Sequence, residues 1–234
     1  MLSGFQGENK IAFEKIFREI FGGDAPGPVE YMTVKGKQKL VGHRKGISTL
    51  EAPVIVDLTV GEGRAWELIP LARRTNFYGF DIRKTSLTTK IHDISKPLPL
   101  LDRCADLVYF DPPFFFRTGA NDESPYNPTD YSDVEAFADV GKFNQILENL
   151  SEEVPRVLKE KGFFLAQIMD MYKGPLGTGR YYPTHYKVLQ MCLQFKPQFK
   201  WLATFDIIIK KRGMAYGVLA NVVHYYLFRK MGSI

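Results

Sequence analysis

The chain has 234 residues, 45% of them apolar and 24% charged, proportions of a globular protein with room for one large core and a small appendage. It lacks the apolar run of about 18 residues that a transmembrane helix needs; residues 1–9 lack the basic-then-apolar order of a signal peptide, and Cys104 and Cys192 stand far apart without metal or disulfide spacing, so a reducing cytoplasm is expected. The net charge of +5 suits a polyanionic partner such as nucleic acid.

Residues 8–21 set Ile11, Phe13, Ile16, Phe17, Ile20 and Phe21 on a 3.6-residue stripe that stops at Gly22-Gly23, which predicts an amphipathic helix. A Pro/Gly loop at 24–28 follows. Residues 30–49 carry Lys35, Lys37, Lys39, Arg44 and Lys45; they read either as a solvated loop or edge hairpin, or as a phosphate-facing patch.

From residue 53 the pattern alternates. Residues 53–58 form a buried strand, 64–73 a helix with Trp66, Leu68, Ile69 and Leu71 inward, and 76–80 a strand that ends in Asp81. A helix or turn leads to a further strand segment at 90–94 that contains Asp93, and residues 106–110 make the next strand. This alternation predicts an α/β fold with a doubly wound, mostly parallel, Rossmann-like sheet. Residues 115–133 form a polar and aromatic loop of a length usually reserved for function. A helix at 134–159, a strand at 162–169, a second Gly/Pro loop at 171–182 and a helix at 186–195 come next. Two apolar strands, 201–210 and 218–229, close the sheet as an antiparallel hairpin. The expected division is an N-terminal helix and basic segment at 1–49 and a larger α/β domain at 50–234.

The strand at 106–110 runs into Asp111-Pro112-Pro113-Phe114. Two prolines fix φ twice and remove two N–H donors, so the strand must end there. The carboxylate, the prolyl carbonyls and the ring then sit at the edge where open α/β sheets bind ligands.

A cofactor site to match is legible upstream. Asp57-Leu58-Thr59-Val60-Gly61-Glu62-Gly63 follows a strand and opens a helix. Glycines permit a tight turn and close backbone approach, and a helix N-terminus favours an anionic group. Asp81, about twenty residues further on at the next strand end, suits both hydroxyls of a ribose. The third glycine and the phosphate-binding lysine of nucleotide loops are missing, so a ligand with a single carboxylate fits better than a pyrophosphate. Asp93 reads either as an acceptor for an adenine amino group or as a turn acid.

Taken together, Asp57-x-x-x-Gly61-x-Gly63, Asp81, Asp93 and Asp111-Pro112-Pro113-Phe114 resemble the S-adenosylmethionine-dependent amino-methyltransferases, most of which methylate exocyclic amines of nucleic-acid bases. The resemblance covers residues 50–230 and includes the closing hairpin. It implies S-adenosylmethionine as cofactor, no metal, and a cofactor set of Asp57, Thr59, Gly61, Gly63, Asp81, Ile82, Asp93 and Ile94. In that set Gly61 and Gly63 line the methionine part, Asp81 the ribose and Asp93 the adenine. Asp111, Pro112, Pro113 and Phe114 become the catalytic tetrapeptide.

The chemistry explains the residue types. An exocyclic amine is a poor nucleophile because its lone pair is delocalised into the ring. Acceptors on both N–H bonds, here the Asp111 carboxylate and the Pro112 carbonyl, favour a pyramidal nitrogen with its lone pair free. Acceptors aimed at developing positive charge are worth roughly 3–4 kcal/mol each in comparable sites, and alignment of the reactants about 7–11 kcal/mol more. Phe114 offers a stacking face worth roughly 1–3 kcal/mol, with Phe116, Tyr126 or Tyr131 as the opposite wall. A paired base must first be flipped out of its helix.

Substrate contacts are expected from Lys37, Lys39, Arg44, Lys45 and Tyr181. The economy of sequence outside the core favours a structured RNA, such as ribosomal RNA, which supplies its own shape. Asp at the first motif position is shared with adenine-N6 enzymes of DNA, so DNA stays open, as do cytosine N4 and adenine N6 as targets and, more remotely, protein amides. A catalytically silent, nucleic-acid-binding relative is the reading of another class.

Overall fold

The computed structural model describes residues 9–21, 31–34, 37–40, 53–61, 63–69, 76–112, 140–169, 171–173, 180–195, 198–209 and 221–232. In chain order the elements are α1 (Asn9–Phe21), β1 (Tyr31–Val34), β2 (Lys37–Leu40), β3 (Val54–Asp57), a 3₁₀ turn (Arg64–Trp66), β4 (Asn76–Asp81), β5 (Lys90–Ile91) and β6 (Ala105–Phe110). They continue with α2 (Val140–Val157), β7 (Leu158–Met169), β8 (Met171–Lys173), β9 (Arg180–Tyr182), α3 (Thr184–Gln194), β10 (Phe199–Ile209) and β11 (Asn221–Lys230).

Seven strands form one sheet in the order β10-β11-β7-β6-β3-β4-β5. The pairs β3–β4, β4–β5, β3–β6 and β6–β7 are parallel, and β11 runs antiparallel to both β7 and β10. β6 shows why such a strand reads as a nearly unbroken apolar run: five of its six residues are buried, because elements cover both faces. From β3 the chain lays β4 and β5 on one side, then returns to lay β6 and β7 on the other. The carboxyl ends of β3 and β6, paired Asp57 to Tyr109, therefore flank the point where strand order reverses, which is where doubly wound sheets open a ligand crevice.

Each face has its own core. On one, Phe143, Leu150 and Val154 of α2 and Val188 and Met191 of α3 pack on Val108, Phe110 and Phe164. On the other, Phe13 and Phe17 of α1 meet Trp66, Leu107 and Tyr109. The Phe13 ring is fully buried, 4.7 Å from the Trp66 ring and 4.6 Å from that of Tyr109. Burying such a side chain contributes about 1.5–3 kcal/mol, so α1 is fastened to the sheet directly beneath the ends of β3 and β6.

Several expectations need correction. Residues 64–73 do not begin as an α-helix: Arg64–Trp66 is a 3₁₀ turn with Gly63 as N-cap, and residues 70–75 lie outside the described set. The Trp66 indole is held by Asp57 instead of pointing from a regular helix face. β5 stops at Ile91, so Asp93 follows the strand. Residues 82–89 contain no helix; Thr88 ties them into a bend by accepting the Thr85 N–H and donating to the Arg83 carbonyl.

The helix expected at 134–159 is Val140–Val157, and 134–139 lie outside the described residues. β7 starts at once at Leu158, but its register against β6 jumps from Ala105–Leu158 to Leu107–Phe163. Residues 159–162 therefore bulge out, with Lys161 at φ 66, and regular pairing begins at Phe163. Residues 171–182 are not all loop, since β8 and β9 pair antiparallel as Met171–Tyr182, Tyr172–Tyr181 and Lys173–Arg180. The basic segment contains the β1–β2 hairpin, a separate two-stranded sheet that is not an edge of the main one. Among the described residues no helix is long and apolar enough to cross a membrane.

Candidate active site

Three acids arrive at the carboxyl edge from neighbouring strands: Asp57 closes β3, Asp81 closes β4 and Asp111 follows β6. Their surroundings differ.

Asp57 is buried. Its Oδ1 accepts the Thr59 N–H at 2.9 Å and its Oδ2 the Trp66 indole N–H at 2.6 Å. Burial pushes its carboxyl up to about 7 against these two bonds, and the Asp81 charge adds to the rise. Both oxygens thus face inward, and the side chain shapes the 58–66 turn from beneath. Sequence reading placed Asp57 in the cofactor set; its contacts are those of the turn's anchor.

Among its described residues the turn has two in the left-handed region, Gly61 at φ 49 and Gly63 at φ 73. A Cβ on Gly61 would make only an ordinary contact, 3.9 Å from the Thr59 carbonyl oxygen, so only conformation demands glycine there, whereas one on Gly63 would also come within 2.3 Å of the Leu87 side chain. The Gly61 N–H donates to Asp81 Oδ2 at 3.0 Å and the Arg83 N–H to Asp81 Oδ1 at 2.9 Å. Each Asp81 oxygen keeps a lone pair for a further donor. Ile82, beside it, is an exposed apolar side chain at 46%.

Asp93 is engaged elsewhere. It accepts the Ser95 N–H at 2.9 Å and the Lys142 ammonium at 2.8 Å. Burial works against its ionisation, but the bonds from Lys142 and Ser95 outweigh it and hold the carboxyl at about 2. Ile94 is buried in the core under α2, and its carbonyl accepts the Asn149 amide. Asp93 and Ile94 thus tie the segment after β5 to α2.

Asp111 is the unusual group. Its N–H donates to Thr59 Oγ1 at 2.8 Å, which joins the turn after β3 to the start of the tetrapeptide. Its Oδ2 lies 3.3 Å from the Tyr109 hydroxyl, and its Oδ1 is sealed from solvent without a hydrogen-bond partner among the described residues. Burial drives the carboxyl well above the usual carboxylate range, and the Asp57 charge adds to this. The Tyr109 hydroxyl also donates to Gln167 Oε1 at 2.6 Å. Pro112 is buried directly after Asp111.

Of the remaining expected site residues, Pro113, Phe114, Phe116, Tyr126, Tyr131, Arg44 and Lys45 lie outside the described residues. Lys37 and Lys39 fall on β2, and Tyr181 on β9 opposite Tyr172. Sequence reading missed Tyr109, Gln167 and Lys142. Two of these carried a signal: Tyr109 shares a strand face with Asp111 by the two-residue period, and Gln167 is the one polar residue within the apolar run 163–169.

Among the described residues no group of three or more His, Cys, Asp or Glu side chains is placed to hold a metal ion. Cys104 and Cys192 are free thiols.

No protein-family model matches the chain, and no curated protein matches it. Solved structures do. A DNA modification methylase candidate from Thermus thermophilus, crystallised with S-adenosyl-L-methionine, is 15% identical with a TM-score of 0.36, over 58% of this chain and 51% of its own. This chain thus spans about half the length of that protein. An S-adenosylmethionine-dependent methyltransferase from Methanosarcina mazei is 12% identical with a TM-score of 0.45, over 78% of this chain and 94% of its own. The (4+2)-cyclase SpnF is 11% identical with a TM-score of 0.47, over 99% and 100%. Such likenesses are of coarse fold and transfer no residue's role.

Proposed function

We propose that this protein is an S-adenosylmethionine-dependent methyltransferase acting on the exocyclic amino nitrogen of a nucleic-acid base, cytosine N4 or adenine N6. The observation that carries the reading is Asp111 Oδ1, a sealed carboxyl oxygen unpartnered among the described residues, beside the point where strand order reverses. A buried polar atom without a partner costs about 1–3 kcal/mol. A catalytically silent relative has no use for that cost, whereas an acceptor waiting for an amine N–H does.

The residues suit the cofactor. The Gly61 turn and Asp81 would hold it, with Asp81 accepting from the ribose and Ile82 offering an apolar surface for the adenine. The Asp81 carboxyl beside the Gly61 turn favours a hydroxyl donor over a phosphate. When bound, S-adenosylmethionine supplies an electrophilic methyl group. Asp111 Oδ1 and the Pro112 carbonyl then accept the two amine N–H bonds, orient the nitrogen and stabilise the positive charge that develops on it, with Phe114 stacking on the base. Asp93 is retained only as a secondary candidate for the adenine, because Lys142 and Ser95 already engage it.

For the substrate we favour structured RNA, with DNA as the alternative. The β8–β9 hairpin brings Tyr172, Lys173, Arg180, Tyr181 and Tyr182 into one short sheet, a basic and aromatic mixture suited to unstacked bases.

The test incubates the protein with radiolabelled S-adenosylmethionine and, separately, total RNA and total DNA, then identifies the methylated nucleoside by mass. N4-methylcytidine or N6-methyladenosine, or a deoxy counterpart, is expected. Asp111→Ala should lower the rate about 10²–10³-fold with cofactor affinity within a few-fold, and Asp81→Ala should weaken cofactor binding. Failure of the wild-type chain to bind S-adenosylmethionine in calorimetry sinks the proposal.

A further inference from the structure

Asp111 does not stand alone beneath the amine site. The register pairs Tyr109 with Leu165 and Phe110 with Ala166, so Gln167 of β7 falls level with Asp111. On the next strand Tyr225 is paired with Gln167. Tyr109, two residues before Asp111, projects from the same face of β6 and reaches both side chains with one hydroxyl, at 3.3 Å from Asp111 Oδ2 and 2.6 Å from Gln167 Oε1. Tyr109 and Gln167 are both buried, at 1% and 3% exposure, and the Tyr109 ring is wedged between Phe13 and Trp66. The hydroxyl therefore cannot swing away.

A tyrosine hydroxyl has one proton and can also accept. The shorter contact assigns that proton to Gln167 and turns an oxygen lone pair toward Asp111 Oδ2. We propose that Tyr109, with its proton held by Gln167, is a positioning residue: it fixes the Asp111 carboxyl by Oδ2, leaves Oδ1 as the acceptor that faces the amine, and sets how readily the carboxyl gives up its proton. The inference rests on the amine-methylation reading for its purpose but not for its physical content. Among the described residues, the titratable groups acting on Asp111 are Asp57 from β3, Tyr109 from β6 and Tyr225 from β11.

The arrangement predicts effects of one sign and different size from two substitutions. Tyr109→Phe removes the oxygen that accepts the carboxyl proton at Oδ2, and with it a bond that favours the neutral acid, so the Asp111 carboxyl should release its proton at lower pH. Gln167→Leu removes the acceptor that holds the Tyr109 proton. The hydroxyl can then donate to Asp111 and stabilise the carboxylate, so the titration should move to lower pH by more than in Tyr109→Phe. A purely structural role would lower the melting temperature in both variants and leave the titration in place.

The test is the carboxyl ¹³C titration of protein labelled at aspartate, with the Asp111 resonance assigned by its loss in Asp111→Asn. It needs no activity and so separates this inference from the proposed function. Midpoints that move to lower pH in both variants, by about one unit or more in Gln167→Leu and by less in Tyr109→Phe, are expected. If methyl transfer is detected, the acid limb of the kcat profile should follow them while the KM for S-adenosylmethionine stays within a few-fold. An unmoved midpoint, or movement to higher pH in either variant, overturns the proposal even in an active enzyme. Moved midpoints in a protein that transfers no methyl group support it and count against the proposed function alone. Should one variant not fold, the other decides by the direction of its own shift.

Discussion

The Thr59 hydroxyl accepts the Asp111 backbone N–H at 2.8 Å, so one side chain bridges the turn after β3 and the acid after β6. The neighbouring main-chain bond from the Leu58 N–H to the Tyr109 carbonyl, at 2.9 Å, continues the ladder to the same level. The two halves of the candidate site are thus held in register by the sheet and locked at its rim by Thr59.

Thr59→Val keeps the shape of this side chain but removes the acceptor. The Asp111 N–H would then lack its partner, at a cost of about 1–3 kcal/mol, and the tetrapeptide would lose its tether to the glycine turn. The expected result is a lower melting temperature together with weaker S-adenosylmethionine binding and slower methyl transfer. Thr59→Ser, which keeps the hydroxyl, should restore most of all three. Calorimetric titration and a differential scan of both variants check this; a Val variant with wild-type cofactor affinity would show that the turn holds its shape without the tether.

The contrast between Thr59 and Asp93 shows what the sequence could reveal. Strand ends are legible because apolar runs, glycines and prolines announce them, so Asp57, Asp81 and Asp111 could be placed at one edge from the order of elements alone. What those acids touch is set by side chains distant in sequence. Trp66, expected in a helix face, turns its indole N–H onto Asp57. Lys142, in a helix with no sequence link to Asp93, occupies one of its oxygens. Gln167 finds Tyr109 only through the β6–β7 register, which the bulge at 159–162 shifts. Local pattern gives the position of a side chain, and tertiary pairing gives its partner.

That pairing makes a prediction about Asp93. If its work is to bind Lys142 and Ser95, Lys142→Met should release one Asp93 oxygen, lower stability and leave cofactor affinity unchanged. Its carboxyl sits at about 2, below the ordinary 3.8, so its contribution to stability is present at neutral pH and is lost only as pH falls from about 4 toward 2. The pair is about one-third exposed, so the effect should be small, in keeping with exposed ion pairs. Chemical denaturation at pH 7 and pH 3 measures it. A large loss of S-adenosylmethionine affinity in Asp93→Asn, with stability intact, would return Asp93 to the cofactor set.

Asp57 predicts the reverse pH dependence. Its folded carboxyl is raised to about 7 from 3.8, chiefly by burial, so the folded state keeps the proton over a range in which the unfolded chain has released it. The stability it confers is fully present below about pH 4 and declines as pH rises toward 7, by on the order of 4 kcal/mol if the whole difference of about 3 units is expressed at 1.36 kcal/mol each. Asp57→Asn cannot ionise, and its amide must set an N–H against either Thr59 or Trp66, so it should be less stable throughout. The informative quantity is the slope. Subtracting the variant's unfolding free energies from those of the wild type between pH 4 and pH 8 should leave a curve that falls with pH. A flat difference would mean that the two donors at 2.9 and 2.6 Å overcome desolvation and keep Asp57 ionised, in which case the turn is braced by a buried anion and the Asp111 carboxyl beside it is pushed toward its neutral form more strongly still.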